Sequence, residues 1–172
     1  MRWKELPLEV APLLFFDVET SGLRPDRGAT IVELALIDVQ KPLLLWQGTR
    51  TQRMARAQFM ALFAHFRKGV VVGHNLRFDF WFVTHEAGKL GLAMPPVRFI
   101  DTLGLARRLL PEQTDYRLGA LLQILGVEST ETLHTAAADA RATRALFWKL
   151  VARGKLRTLS DAGMQQLTWT YH

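Results

Sequence analysis

No cysteine occurs among the 172 residues. That absence excludes disulfides, thiolate-held metals and a cysteine nucleophile, so any metal must be bound by oxygen or imidazole. No apolar run is long enough to span a bilayer, and no membrane partner is expected. The opening residues, MRWKELPLEVAPLLFF, carry two acids and lack a clean apolar centre, which argues against a signal peptide and for a cytoplasmic protein. Low-complexity tracts, internal repeats and evident linkers are also missing. The basic residues form no block that could serve as a polybasic arm.

The composition that is present, 49% hydrophobic and 22% charged, is enough for one globular domain with a real core. It is expected to fill residues 1–172, with 1–11 as a leader lying on it. Residues 154–172 are expected to be a tail that either packs on the domain or serves in docking. The net charge of +6 suits a polyanion such as nucleic acid, although an arginine-favouring genome would explain it equally.

Apolar periodicity predicts the order of elements. Residues 13–18 read as a central strand, apolar on both faces. A Gly- and Pro-rich loop follows, then strands over 31–39 and 43–48, which together make an antiparallel meander. The period then lengthens: Ala55, Phe59, Leu62 and Phe66 fall at helical spacing, and Gly69 ends that helix. A short buried strand, VVVG, is expected to lie parallel to the first after the helical crossover. Further helices are predicted over 78–87, 102–110 and 135–153, with a fifth strand at VRFID. Asp101 is expected to cap the helix that follows it. Asp115 is expected to cap one through YRLGALLQILG, and Ser160 and Asp161 a terminal one. The fold class is α/β, a mixed five-stranded sheet flanked by helices.

Three places concentrate acids. Asp17 and Glu19 are two apart on a strand and so share a face; alone, such a pair is weak evidence, since it could also be a loop hydrogen-bonding device. In GHNLRFDFWF, Asp79 sits early in a helix and shares a face with Phe82, Val83 and Glu86, so it points at apolar neighbours. In LHTAAADARAT, Asp139 leads a stripe of Ala142, Leu146 and Leu150, with His134 just ahead of the helix. Four carboxylates cannot share one site as bare anions. Two divalent cations, Mg2+ or Mn2+, would resolve the conflict and could clamp a phosphodiester. Glu33, mid-strand, is assigned no chemistry, and His65 and His85 lack partnered spacing.

The motifs FDVETSGL, HNLRFDFWF and His134 with Asp139, in that order, resemble those of the DEDDh exonucleases. These are the DnaQ-like 3′–5′ exonucleases of the ribonuclease H-like superfamily. IVELALIDV and DTLGLARRLLP resemble accessory family features, and the likeness spans about residues 13–150. It implies a ribonuclease H-like fold and metal ligation by Asp17, Glu19, Asp79 and Asp139, with His134 as general base. It further implies contacts to the terminal nucleotide from the Thr20 backbone, Leu23, Asn75 and Phe78. The passage from Glu33 to His74 is shorter than in relatives, which bears on substrate preference.

The function expected is 3′–5′ hydrolysis of nucleic acid with a free 3′ end, single-stranded DNA first, in proofreading or repair. An RNA or short-oligonucleotide nuclease is the alternative within enzymes. A non-catalytic nucleic-acid-binding module is the alternative outside them. The tail MQQLTWTYH loosely resembles a sliding-clamp peptide, so a DNA polymerase or a clamp is a candidate partner.

Overall fold

The structure is a computed structural model and describes residues 2–38, 41–127 and 133–168. Its centre is a sheet of six strands. β1 (Leu13–Thr20), β2 (Ile31–Ile37) and β3 (Pro42–Gln47) form the antiparallel meander. α1 (Arg56–Lys68) crosses over to β4 (Val70–Gly73), which pairs parallel with β1, and α2 (Leu76–Lys89) leads to β5 (Val97–Asp101), parallel to β4. The spatial order is β3-β2-β1-β4-β5-β6. After β5 come α3 (Thr102–Leu109), α4 (Leu118–Ile124) and α5 (Ala136–Gly154).

Two expectations need correction. The sheet has a sixth strand, β6 (Gln165–Leu167), antiparallel to β5, where a helix capped by Ser160 or Asp161 was expected. The carboxylate of Asp161 instead accepts the backbone N–H groups of Arg157 and Thr158, which folds this segment into a turn. Asp115 does not cap α4; it accepts the N–H and the guanidinium of Arg117, two residues on. The final residues of the clamp-like tail, 169–172, lie outside the described residues, as do Val39 and Gln40 of the second predicted strand and its turn.

The alternation along β1 sorts the core. Leu13 and Phe15 face a cluster that includes Phe147 and Leu150 of α5, whereas Leu14, Phe16 and Val18 face one built on α1 and α2. On the second side Phe16, Phe66 and Phe80 meet ring to ring at 5.3–6.4 Å. A buried phenylalanine of this kind typically costs about 3–5 kcal/mol when cut to alanine. Ahead of β1, Leu8 is buried and Pro7 forms a bridge with Thr158. No helix among the described residues is long and apolar enough to cross a membrane.

Candidate active site

β1 is shorter on one flank than on the other. β4 pairs with it only from Leu13 to Phe15, while β2 accompanies it to Thr20. The last residues of β1 therefore emerge from the sheet beside open space, and that is where the acids stand. Asp17 and Glu19 continue the Leu13–Phe15 face and look toward α5. Asp139 comes from the first turn of α5, above its buried stripe of Ala142, Leu146 and Leu150. One carboxylate oxygen from each of Asp17, Glu19 and Asp139 lies within 4.8 Å of the other two, and all three residues are half-buried.

Such a set is strained without a cation. Burial raises Asp17 well above the ordinary carboxylate range, and the charges of Asp79, Asp139, Glu19 and Glu33 push it further. Burial also raises Glu19 and Asp139. Glu19 and Asp139 are joined by a side-chain hydrogen bond that raises Glu19 and lowers Asp139, and the charge of His134 lowers both. Three convergent hard oxygens whose burial and mutual repulsion favour bound protons suit a divalent ion of the magnesium or manganese kind.

Asp79 stands apart from this triplet. It is carried on α2, on the opposite side of the sheet, and is almost fully buried at 4% exposure. Its Oδ1 accepts the Val18 N–H at 3.0 Å. Burial pushes its pKa up to about 8, against the N–H bonds that pull it down. The helical face predicted for Asp79, Phe82, Val83 and Glu86 is buried throughout.

His134 is exposed and has a left-handed backbone, φ 87°. Its N–H donates to Asp139 Oδ1 at 3.3 Å, while the side chain of the next residue, Thr135, caps α5 by accepting the Ala138 N–H. The second histidine near the site is not available for proton transfer. His74 has Nε2 on the Tyr116 carbonyl at 2.8 Å and Nδ1 on the Thr102 hydroxyl at 2.9 Å, and burial lowers its pKa. A carbonyl can only accept, so Nε2 carries the proton of the neutral ring. His74 thus ties the end of β4 to α3 and to the segment before α4. Gly73 must precede it, because a Cβ there would fall 2.3 Å from Leu76 and 2.9 Å from the Phe16 carbonyl.

A cavity of about 470 Å³ opens from Asp17 and Asp139 past His74 and Asn75 to Arg107, Tyr116 and Arg117. Of the four residues expected at the terminal nucleotide, Asn75 lines this cavity. Thr20, Leu23 and Phe78 do not. Thr20 bonds its hydroxyl to the Gly22 carbonyl, Leu23 projects into solvent at 77% exposure, and Phe78 packs on Phe82 at 5.0 Å. Asp101 caps α3 as expected, accepting the Leu103 N–H, and also accepts the N–H of Asn75.

Residues that sequence reasoning passed over also belong here. Glu33 pairs with Glu19 across the β1–β2 ladder and accepts the Ala136 N–H at the start of α5. Glu86 grips the far end of the loop after β1, accepting from the Thr30 hydroxyl at 2.5 Å and the Ile31 N–H at 2.8 Å. Each is an acid in an apolar stretch, and that was the available signal. Arg107, Tyr116 and Arg117 carried none, since only the fold brings the segment before α4 to the end of β1.

A family model described as exonuclease, RNase T, matches residues 47–147. A DNA polymerase III PolC-type of Latilactobacillus sakei subsp. sakei is 32% identical over 169 residues, covering 83% of this chain and 11% of the relative. The 3′-5′ exonuclease DinG of Bacillus subtilis is 28% identical over 175 residues, covering 88% of this chain and 18% of the relative. The chain therefore spans less than a fifth of these relatives' length. Among solved structures, S. pombe Pop2p in its Mg2+- and Mn2+-bound form superposes with a TM-score of 0.64 at 11% identity, covering 85% of each chain. Brucella melitensis NrnC bound to pGG gives 0.62 at 17% identity, covering 85% of this chain and 74% of the other. Both likenesses concern the ribonuclease H-like fold.

Proposed function

Since the chain belongs to the RNase T exonuclease family, we propose that it hydrolyses nucleic acid one nucleotide at a time from a free 3′ end, DNA first, releasing nucleoside 5′-monophosphates. The observation that carries this reading is the convergence of Asp17, Glu19 and Asp139 oxygens within 4.8 Å, beside a histidine tied to Asp139.

Asp17, Glu19 and Asp139 would hold one Mg2+ or Mn2+ ion, and Asp17 with Asp79 a second. Bound there, divalent ions would make water more acidic and offset the charge that develops on phosphate and leaving group. The chain's own groups supply the rest. Asp79 has to give up its proton for the fully charged site, which its burial resists. His134, exposed at the rim, accepts the proton of the water that adds to the terminal phosphorus; the bond from phosphorus to the 3′ oxygen breaks, and that oxygen is reprotonated. The backbone hydrogen bond from His134 to Asp139 ties the base to the acid cluster through the chain itself. Arg107 and Arg117 at the far end of the cavity are suited to backbone phosphates. Leu23, exposed on the loop after β1, offers an apolar contact to the terminal base.

The DNA polymerase III PolC-type relative favours DNA and a role beside a polymerase, and the DinG relative, a 3′-5′ exonuclease, favours the polarity; a cytoplasmic setting goes with that reading. The decisive experiment is a matched set of labelled DNA and RNA oligonucleotides with single, recessed and mismatched 3′ ends, assayed with Mg2+ or Mn2+ and with EDTA. Stepwise shortening from the 3′ end that stops with EDTA is expected, fastest on single-stranded DNA. Preference for RNA or for dinucleotides would shift the substrate class. No cleavage of any substrate would overturn the reading.

A further inference from the structure

Glu33 does something that its place in the sheet does not require. Its Oε2 accepts the backbone N–H of Ala136, 103 residues away, at 3.1 Å. Its Oε1 accepts from the Gln47 side chain on the edge strand at 3.2 Å. It therefore bridges the β2–β3 pair to the first N–H of α5, one of the four that a helix cannot satisfy internally. A carboxylate at that end also meets the favourable pole of the helix dipole. Thr135 satisfies only the Ala138 N–H.

The position of that contact matters. Ala136 lies between His134 and Asp139, and the chain reaches α5 through His134 in a left-handed conformation that costs energy in a non-glycine residue. Without an anchor, the corner at 134–136 relaxes and takes His134 with it, while Asp139 stays in the first turn of α5. Glu33 is not one of the three clustered ligands, and every acceptor oxygen it has is spent on Ala136 or Gln47.

We propose that Glu33 is a positioning residue for the reaction: held by Gln47, it pins the N-terminus of α5 so that His134 stands at the acid cluster. The inference rests on the nuclease reading above and adds to it a part played by the β2–β3 edge.

Two substitutions separate position from charge. Glu33→Gln keeps an acceptor for Ala136 and, with its amide turned, can donate to the Gln47 side-chain oxygen, but it removes the charge. Glu33→Ala removes the anchor. Expected for Glu33→Ala is a kcat lower by about 10- to 100-fold, with the KM for a DNA oligonucleotide and the calorimetric affinity for Mn2+ near the parent values. Expected for Glu33→Gln is a kcat close to the parent. Amide hydrogen exchange should quicken over residues 134–139 in Glu33→Ala and not in Glu33→Gln. Parental kcat in Glu33→Ala overturns the proposal, and so does equal damage in both variants, which would make charge the cause. Should Glu33→Ala fail to fold, Gln47→Ala, on the exposed edge, must lower kcat in the same direction; an unchanged kcat there overturns it too. A parent protein without turnover would defeat the nuclease reading alone, and the exchange experiment would still decide whether Glu33 pins α5.

Discussion

Asp79 reaches through the end of the sheet to take the Val18 N–H at 3.0 Å. The bond exists because β4 gives β1 partners only as far as Phe15. Past that point a backbone donor of β1 on the β4 flank needs another acceptor, and the α2 carboxylate provides it. One side chain thus ties α2 to the end of β1 next to Asp17. Asp79→Asn keeps an acceptor for Val18 and removes the charge; Asp79→Ala removes both. Asn should therefore melt near the parent and lose turnover. Ala should lose turnover and about 1–3 kcal/mol of stability as well. Denaturant melts beside a gel assay check both halves, and an active Asp79→Asn would remove Asp79 from the ligand set.

The same acid makes the metal-free protein respond to pH in an unusual direction. Asp79 is raised to about 8 by burial, and Asp17, Glu19 and Asp139 are raised too. A raised carboxyl binds its proton more tightly when folded than when unfolded. Its contribution is complete below the unfolded value near 4 and is lost as pH climbs through the folded one. His74 runs the other way, because burial lowers its pKa and folding then weakens as pH falls below about 6.5. Between about 6.5 and 8 the acids act without that opposition. The Tm in EDTA should fall as pH rises through this interval, and saturating Mn2+ should abolish or reverse the slope. Scanning calorimetry at several pH values reads it directly; a flat EDTA curve would mean that the acids are already ionised.

Asp17→Asn removes the charge that every other acid in the site opposes. Turnover should vanish, the Tm in EDTA should rise, and the rise on adding Mn2+ should shrink. Metal-dependent melts separate this from unfolding, which would lower the Tm under both conditions.

How much of this was legible in the sequence depends on how local the cause is. Period-2 alternation in LLFFDVET is enough to put Asp17 and Glu19 on one face, and helical spacing is enough to turn Asp139 inward with Leu146 and Leu150. The side-chain geometry of Asp79 is not local: it follows from where β4 stops beside β1. Glu33 is harder still, since its partner Ala136 is joined to it only by the way α5 crosses the sheet. β6 escaped notice because QQL has no β-branched or aromatic residue and only three positions. Asp115 has the spacing of a helix cap, but a bidentate guanidinium two residues away competes for the same oxygens.

His134 is exposed, so its removal should cost little packing. His134→Ala is expected to lower kcat by about 10²–10⁴-fold while Mn2+ binding to the carboxylates persists. Its backbone bond to Asp139 survives the substitution, so the acid cluster should keep its shape. Single-turnover kinetics with calorimetry on the same preparation test this; a loss confined to metal affinity would contradict the role of base.

Glu86 anchors the other side of the site. Its Oε1 holds Thr30 and Ile31 at the point where the loop after β1 re-enters the sheet, and its Oε2 is buried without a hydrogen-bond partner among the described residues. Replacing it with alanine orphans the buried Ile31 N–H and leaves the Thr30 hydroxyl only the Ile31 carbonyl at 3.3 Å, at a cost of about 1–3 kcal/mol. The loop that carries the exposed Leu23 would then be held at its Thr30 end by the bonds between Thr30 and Ser21, without its tie to α2. If Leu23 meets the terminal base, Glu86→Ala should raise the KM for oligonucleotides more than it lowers kcat, because the acid cluster lies across the sheet from Glu86. Glu86→Gln keeps, in its amide oxygen, the one acceptor that both donors use and should stay close to the parent. Leu23→Ser, which removes the apolar contact and leaves the anchor intact, should reproduce the KM effect with no change in Tm. If Leu23→Ser kept the parental KM, the loop would have no part in holding substrate, and any defect of Glu86→Ala would be one of stability alone.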